Sequence, residues 1–402
     1  MVIILFTKFN EALGKRSLGN QTEDWIGERG IRMMVSKPEA SSIGRRFSRK
    51  APVMAASTLG LILGFLAFAG TVSAASGDLD PGFGEAGKVT TDFAGGYDPA
   101  HDVAIQPNGK AVVVGATNSN PFDINSSDDF ALARYEVDGS LDQSFGDGGK
   151  VTTDFGDSFD QAEAVAVQDD GKVVVAGVTE SGSGDFALAR YAPDGTLDQD
   201  FGNGGKVRTD FGGDIERALD LAVQPDGKII VVGSGGPDDS DFALARYAPD
   251  GTLDQDFGNG GKVRTDFVGG ESPDTPDSAN AVTIQPDGKI VAAGYADNNQ
   301  AFASQDFALA RYDTDGALDP DFGNDGKVMT DLGYDSEGAS GLVVQPDGRV
   351  MAAGYSESDF ALVGYDSGGL WTRASAMAAK RGPTSTRGAT ALSHSPRNPM
   401  AS

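Results

Sequence analysis

The residues of this sequence that could do chemistry are mostly carboxylates. The chain has 59 Asp and Glu, two His and no Cys, which excludes disulfides and thiol catalysis. His394 lies near the C-terminus, so His101, between Asp98 and Asp102, is the single imidazole in the body of the chain and a candidate general base. Dense carboxylates suit a hard cation such as calcium, and a facing pair of them could cleave a glycosidic bond.

No compact catalytic motif supports an enzyme. The sequence contains no G-x-S-x-G elbow, no H-E-x-x-H helix and no Walker loop. Its Asp-rich connectors lack the alternating D-x-D-x-D-G spacing of an EF-hand. The net charge of −27 argues against nucleic acid and anionic lipid as partners, because both would be repelled.

The elements that must position these carboxylates are repeated. Three phrases, "LDxxFGxxGKV", "QPDGK" and "DFALARY", each recur five times in a fixed order with small variations. One stretch of the repeat is identical at Asp185–Phe211 and Asp241–Phe267. The runs on either side of "QPDGK" are short and apolar, which predicts a hairpin of two strands covered on both faces. "FALARY" predicts a third strand and "GKVTTDF" a fourth, while no unit contains an amphipathic helix.

Four short strands per repeat indicate the blade of a β-propeller. The chain opens with a fourth-strand phrase, Leu79–Phe93, and its last unit supplies three strands, ending at Asp359–Tyr365. We therefore predict an all-β fold: a closed β-propeller of five four-stranded blades, the last one completed by the N-terminal strand. The alternative is a larger ring truncated at Asp366.

The three phrases in register resemble the delta-60 repeat proteins of bacteria. "DFALARYAPDGTLDQDFGNGGKV" and "VQPDGKIIVVG" carry the resemblance, which covers about Leu79–Tyr365. It departs from the pattern at Gln168-Asp169-Asp170, which lacks the turn proline, and at Gly364, where other repeats have Arg. The resemblance implies a β-propeller, often exported, and implies no catalytic residues.

Inserts identify the candidate binding face. The connections from second to third strand vary in length, and one fourth-to-first connection carries an insert at Val268–Ala281. Both kinds of connection leave the same face of the disc, because the strands alternate in direction. Variable loops on one face of a repeat protein usually form its binding side. The polar residues expected there are Asp98, His101, Asp102, Asp160, Glu163, Asp214, Glu216, Asp238, Asp239, Glu271, Asp274, Asp277, Asp335 and Glu337.

These patterns predict a non-catalytic binding or scaffold protein that presents its acidic face to an extracellular protein or polymer. An exported carbohydrate-active enzyme with paired carboxylates near the ring axis is the alternative, and a purely structural surface protein is the third hypothesis. No cofactor is expected to be required, and calcium stays open as a ligand. The arginines that end each "DFALAR" strand are expected to form Arg–carboxylate ties. The oligomeric state is not predicted.

The chain ends differ from the repeats in composition. Basic Gly44–Lys50 precedes an apolar run that ends at Val72-Ser73-Ala74, which predicts an export signal over residues 1–74 with cleavage after Ala74. An uncleaved membrane anchor is the alternative, and Met33 or Met34 is a candidate start. Residues 75–365 form the predicted propeller, and 366–402 a disordered basic tail. A secreted or cell-surface protein is expected.

Overall fold

The strands of the repeats are those that the phrases predict. The computed structural model describes residues 77–93, 95–118, 128–156, 159–181, 183–213, 216–236, 241–268, 277–297 and 304–370. Within these ranges, nineteen strands form five antiparallel sheets that follow one another along the chain. Each sheet is one blade. The predicted export signal and most of the predicted tail lie outside the described residues.

The first four blades have four strands each. The strands of blade 1 are β1 (Ala100–Ile105), β2 (Ala111–Thr117), β3 (Asp129–Tyr135) and β4 (Lys150–Thr153). Those of blade 2 are β5 (Phe159–Val167), β6 (Val173–Ser181), β7 (Ser183–Tyr191) and β8 (Lys206–Thr209). Blade 3 contains β9 (Arg217–Val223), β10 (Ile229–Gly235), β11 (Asp241–Tyr247) and β12 (Lys262–Thr265). Blade 4 contains β13 (Ser278–Ile284), β14 (Ile290–Asp297), β15 (Gln305–Tyr312) and β16 (Lys327–Thr330).

Blade 5 has three strands, β17 (Glu337–Val344), β18 (Val350–Ser356) and β19 (Asp359–Tyr365). The predicted completion of this blade by the N-terminal phrase is not confirmed, because no described strand pairs with the outer edge of β19. Residues Lys88–Thr91 form no ladder and lie beside blade 1 instead, where Gly84 N–H donates to the Asp138 carbonyl at 2.7 Å. The start of the predicted tail, 366–370, forms a turn in which Gly369 N–H donates to the Asp366 carbonyl.

The turn phrase forms the predicted hairpin between first and second strands. In blade 1 the Gln106 N–H donates to the Lys110 carbonyl at 2.8 Å. The turn glycine of blade 3, Gly227, has φ +83°, a conformation that side chains with a Cβ rarely adopt. The second strand that follows is covered on both faces, and every residue of β10 is buried. Apolar residues without alternation therefore mark a central strand of the blade, as expected.

The first strand of every blade lies innermost. First strands of successive blades contact one another, as β1 does β5 and β5 does β9. Each of them carries a one-residue bulge, at His101, Glu163, Leu219, Asn280 and Ser340 respectively. A glycine of the second strand faces each bulge; a Cβ at Gly177 would lie 1.9 Å from the Gln161 carbonyl oxygen. The sequence patterns do not predict this bulge. At two of them the side chain reaches the next first strand: His101 contacts the Ala162 carbonyl, and Asn280 donates to the Ala339 carbonyl.

The hydrophobic core is divided among the blade junctions. One cluster of buried side chains joins blades 1 and 2, and others join blades 2 and 3, 3 and 4, and 4 and 5. Within them, Phe130 and Phe155 stack at 4.9 Å between ring centroids, as do Phe186 and Phe211. Since no blade covers both its faces alone, neighbouring blades stabilise each other. No described residue belongs to a helix long and apolar enough to cross a membrane.

Candidate functional site

Carboxylates from two blades meet at each of four junctions on the insert-bearing face. The first member of each group begins a third strand, the second follows the fourth strand, and the third lies at the start of the next blade's first strand. Within a group, one oxygen from each carboxylate lies within 4.8 Å of the other two. We call these groups the carboxylate triads. They are Asp129–Asp154–Asp160, Asp185–Asp210–Glu216, Asp241–Asp266–Asp277 and Asp306–Asp331–Glu337.

The third member of each triad is held by the backbone of the loop before it. Asp160 Oδ2 accepts a hydrogen bond from the Phe155 N–H at 2.5 Å, and Glu216 Oε2 accepts one from the Phe211 N–H at 2.6 Å. Asp277 and Glu337 accept the corresponding bonds at 3.1 and 2.7 Å. Asp98 does the same with Phe93 at 2.9 Å, at the N-terminal phrase. Five predicted site residues thus have one shared position in the repeat.

The triad between blades 1 and 2 contains oxygens without a hydrogen-bond partner. Asp160 is 1% exposed, and its Oδ1 atom is buried and accepts no hydrogen bond. The Thr179 hydroxyl, itself buried and without a hydrogen-bond partner, lies close enough to Asp160 to lower the pKa of that carboxyl, although burial raises it overall. Asp129 Oδ1 is also buried and without a partner. Buried carboxylate oxygens are normally paired, because their desolvation is costly. Two carboxylates of this triad therefore each have a buried oxygen without a partner, to which a cation could bind.

Burial, with repulsion between neighbouring carboxylates, raises the pKa values of several triad acids. Burial, followed by the charges of Asp154, Asp160 and Asp128, raises the pKa of Asp129 to about 6. Burial raises the pKa of Asp277 to about 7, with a further contribution from neighbouring carboxylates. The pKa values of Asp185, Glu216 and Glu337 are raised as well, again mainly by burial. A bound cation would offset both effects.

The triads differ in whether a positively charged side chain lies within or beside them. In blade 3, Arg264 on the fourth strand donates from Nε to Asp241 Oδ2 at 3.0 Å, inside its own triad. Arg208, at the same position in blade 2, donates to the Phe155 carbonyl, and its charge offsets part of the burial that raises the pKa values of Asp160 and Asp185. Thr152 and Met329 occupy this position in blades 1 and 4. The triad between blades 3 and 4 therefore already contains a positive charge.

Other predicted site residues lie elsewhere. His101, Asp102 and Glu163 are on the inner strands: His101 Nδ1 lies 2.9 Å from the Ala162 carbonyl oxygen and 3.6 Å from Glu163 Oε2. Asp102 accepts a hydrogen bond from the Val165 N–H at 2.9 Å, which ties blade 1 to blade 2. Asp335 is exposed on the insert-bearing face. The remaining candidates, which lie outside the described residues, are Asp214, Asp238, Asp239, Glu271 and Asp274.

Two of the three positions of each triad were missed by the sequence patterns. The Asp of "DF" and the Asp of "TDF" are the same in every repeat, which suggested a purely structural role. The position of these two residues in the repeat could have identified them. Because strands alternate in direction, the start of a third strand and the end of a fourth lie at the same edge of the blade.

The opposite face contains the predicted Arg–carboxylate ties. Arg134 Nε donates to Asp142 Oδ2 at 2.6 Å, and its Nη1 donates to the Pro193 carbonyl of the next blade at 2.5 Å. Its guanidinium also lies 4.4 Å from the centre of the Phe145 ring. Arg190, Arg246 and Arg311 make the same ties. This prediction is confirmed, and these arginines hold blades together.

One family model supports the propeller. Residues 106–145, 168–201, 224–257 and 285–322 match the model of a β-propeller domain of unknown function, DUF5122. No curated protein matches the chain. Similar solved structures include a protein of unknown function from Bacteroides caccae, at 11% identity over 68% of this chain and 80% of that chain with a TM-score of 0.40. The periplasmic gluconolactonase of Pseudomonas aeruginosa is 14% identical over 68% of this chain and 70% of that one, with a TM-score of 0.41.

An α-L-arabinofuranosidase from Clostridium thermocellum is also similar, at 11% identity over 67% of this chain and 91% of that chain, with a TM-score of 0.35. These weak similarities transfer no activity to this chain. The family match and the five sheets agree on the architecture. The chain is a β-propeller repeat protein.

Proposed function

We propose that this protein is an exported binding protein whose insert-bearing face holds divalent cations, calcium first, in the carboxylate triads. The observation that carries the proposal is the triad between blades 1 and 2, where buried Oδ1 atoms of Asp129 and Asp160 have no hydrogen-bond partner. The export signal predicted from the sequence supports action outside the cell.

Calcium suits these sites better than magnesium does. Calcium accepts six to eight oxygen ligands in irregular arrangements at about 2.3–2.6 Å, whereas magnesium demands near-octahedral geometry. Three carboxylates supply charge and part of such a coordination sphere. The remaining positions would be open to water or to hydroxyl and carboxylate oxygens of an extracellular polymer or protein. A bound ion would thus present the acidic face to a partner that the bare negative charge would repel.

The experiment is a measurement of calcium binding and thermal unfolding of the purified protein, with calcium or with chelator. Calcium that binds only the folded state raises the midpoint of unfolding, by an amount worth about 2.7 kcal/mol at a hundredfold excess over Kd. Asp160→Asn should reduce the number of bound calcium ions by one and raise the midpoint of the chelated protein, because it removes a buried charge. Asp335→Asn removes an exposed charge from the same face and is the matched control, so its stoichiometry should be that of the wild type.

An unchanged midpoint together with no bound calcium would overturn the proposal. A loss of calcium binding in Asp335→Asn equal to that in Asp160→Asn would also contradict it, because the effect would then follow net charge rather than the triad.

A carbohydrate-active enzyme is the second candidate, and one observation favours it. Retaining glycosidases use two carboxyl groups about 5–5.5 Å apart, one of them with a raised pKa. The triad oxygens lie within 4.8 Å of each other, and the pKa of Asp277 is raised to about 7. Hydrolysis of an aryl glycoside or a sugar lactone by the chelated protein, abolished in Asp277→Asn, would establish this function. Turnover that persists in that variant would assign the activity elsewhere.

A further inference from the structure

The two ends of the described stack of blades are complementary. Each of the four hydrophobic clusters joins successive blades, and none of them joins blade 5 to blade 1 among the described residues. Blade 5 ends in β19, whose outer edge pairs with no described strand. The N-terminal phrase Leu79–Phe93 begins the other end and has the residues of a fourth strand.

At the other junctions, the fourth-strand phrase contacts two blades at once. One side pairs with the third strand of its own blade, as Phe130 opposite Thr153 and Leu132 opposite Val151. The other side contacts the next blade, where Tyr191 donates from its hydroxyl to Thr153 Oγ1 at 2.8 Å. The phrase therefore links a blade to its successor.

The N-terminal phrase contacts blade 1 in the way that the other fourth-strand phrases contact their next blade. Thr91 Oγ1 lies 2.6 Å from the Tyr135 hydroxyl. Lys150 Nζ donates to the Asp92 carbonyl at 3.0 Å and lies 5.6 Å from the centre of the Phe93 ring. Lys206 makes the same contacts with Asp154 and Phe155 one blade later. The phrase thus occupies the position of a fourth strand belonging to a blade that would precede blade 1.

The edge of blade 5 offers the other contact of a fourth strand, which is pairing with the third strand of its own blade. In β19, Phe360 is 74% exposed and Leu362 49% exposed, whereas the equivalent Phe130 and Leu132 of β3 are fully buried. The aligned repeats define the register: Phe360 would lie opposite Thr91 and Leu362 opposite Val89, as in the pairing of β3 with β4. The edge also begins with Asp359, the equivalent of the first triad member Asp129.

We infer that the edge strand β19 binds the N-terminal phrase of a second copy of this chain, in a head-to-tail junction that adds Lys88–Thr91 as the fourth strand of blade 5. Adding a strand to an open sheet edge supplies main-chain hydrogen bonds and buries the apolar residues of that edge. The junction would also create a fifth carboxylate triad, with Asp359 from one copy and Asp92 and Asp98 from the other. This triad is incomplete in a single copy, because Asp359 lies on blade 5 and the other two acids lie beside blade 1.

A second copy is the occupant that the structure favours. The phrase of the same chain is already bound to blade 1 by the contacts that every other fourth-strand phrase makes with its next blade. A second copy can bring its phrase and its blade 1 to β19 by repeating the blade-to-blade packing seen four times within the chain. Closure by the chain's own phrase would require blades 1 and 5 to approach. A repeated head-to-tail contact that does not close produces chains of copies.

The test uses two full-length variants, each blocked at one end. Val89→Pro removes a backbone N–H that would face β19 and so blocks strand addition there. Its equivalent in blade 1, Val151, lies opposite Leu132 two residues from the hydrogen-bonded pair of Arg134 and Gly149, and such pairs alternate along an antiparallel ladder. Leu362→Lys places a charge on the edge of β19. Tyr334→Lys adds the same charge at an exposed residue of another loop and is the control. Molar mass is measured by light scattering after size exclusion over a range of concentrations, in calcium and in chelator.

The wild type and Tyr334→Lys should grow in mass beyond a dimer with concentration, while each blocked variant stays monomeric. A mixture of the two blocked variants should form a heterodimer, since each still has one functional end. Monomers at every concentration, or a heterodimer that never forms, would overturn the inference in favour of closure within one chain. The chelated samples test the junction independently of the proposed cation binding.

The fifth triad is tested separately, and this step rests on the proposed function. Calcium should strengthen association at least about fivefold, the usual lower range for coupled binding, and Asp359→Asn should abolish that increment without abolishing association in chelator. Association that calcium leaves unchanged would overturn the shared triad. Loss of the increment while the triads within the chain still bind calcium would support it.

Discussion

Asp160 accepts a hydrogen bond from the backbone of Phe155, five residues earlier in the chain, and shares a carboxylate triad with Asp129 of the preceding blade. The first contact orders the loop between two blades, and the second creates a buried negative cluster. Asp160 therefore both orders the loop and adds to the repulsion between carboxylates. A cation at this point would join blade 1 to blade 2.

The chelated protein should become less stable as the pH rises. A carboxyl whose pKa is higher in the folded state than in the unfolded chain contributes stability at low pH, and that stability is lost as the pH rises through the folded value. The unfolded value is about 4, and the pKa values of Asp129 and Asp277 are raised to about 6 and about 7. We expect the midpoint temperature of unfolding in chelator to decrease as the pH is raised from 5 to 8.

Calcium at pH 8 should restore the thermal stability that the chelated protein loses. Thermal scans at pH 5, 6, 7 and 8, with and without calcium, check both statements. A chelated midpoint that rises over this range would contradict the raised pKa values. On the opposite face the pH dependence has the other sign: carboxyls with lowered pKa values there contribute stability that is lost as the pH falls below about 4. There burial tends to raise the pKa of Asp198, but the bond from Lys172 and the charge of Arg190 outweigh it and lower the pKa.

Arg264→Met should strengthen calcium binding at the triad between blades 3 and 4. Arg264 donates to Asp241 at 3.0 Å, so its charge competes with a metal ion for that carboxylate. The equivalent residue of blade 4 is Met329, which makes methionine a native choice at this position. Calorimetric titration should show one additional ion or about tenfold tighter binding at one site, which corresponds to about 1.4 kcal/mol. Arg349→Met removes an exposed arginine elsewhere and should leave the titration unchanged.

Gly227→Val should destabilise blade 3. Gly227 lies in the hairpin turn at φ +83°, where a β-branched side chain is strained. The expected cost is about 1–3 kcal/mol of unfolding free energy, measured by chemical denaturation. Gly227→Asn is the control, because asparagine tolerates the left-handed region and should cost clearly less. Equal stability of the valine variant and the wild type would contradict the turn assignment.

Tyr191→Phe should weaken the junction between blades 1 and 2. The Tyr191 hydroxyl donates to Thr153 Oγ1 at 2.8 Å in a buried site, and burial raises the pKa of Tyr191 well above its usual range. Removing the donor leaves the Thr153 oxygen buried, at a cost of about 1–3 kcal/mol. The double variant with Thr153→Val removes both polar groups and should regain part of that loss. Additive losses in the double-mutant cycle would show that the two groups do not interact.

The sequence by itself determined the strands of the blades and the positions of the turns, whereas the predicted closure of the ring is not confirmed. Gly227 and the other turn glycines, the buried runs of β10 and the ties of Arg134 all follow from local patterns that recur in register. Local backbone preferences and a five-times-repeated hydrophobic pattern need no knowledge of the neighbouring blade. The face that carries the inserts also follows, because adjacent strands in a hairpin must alternate in direction.

Only the tertiary structure decided which carboxylates meet. Asp129, Asp154 and Asp160 come from three segments and two blades, and their proximity depends on how one blade packs on the next. The inner-strand bulge at Glu163 and the separation of Asp359 from Asp92 depend on the same packing. Sequence patterns describe what one blade contains, whereas the angle and spacing between blades arise from side chains of both blades packing together.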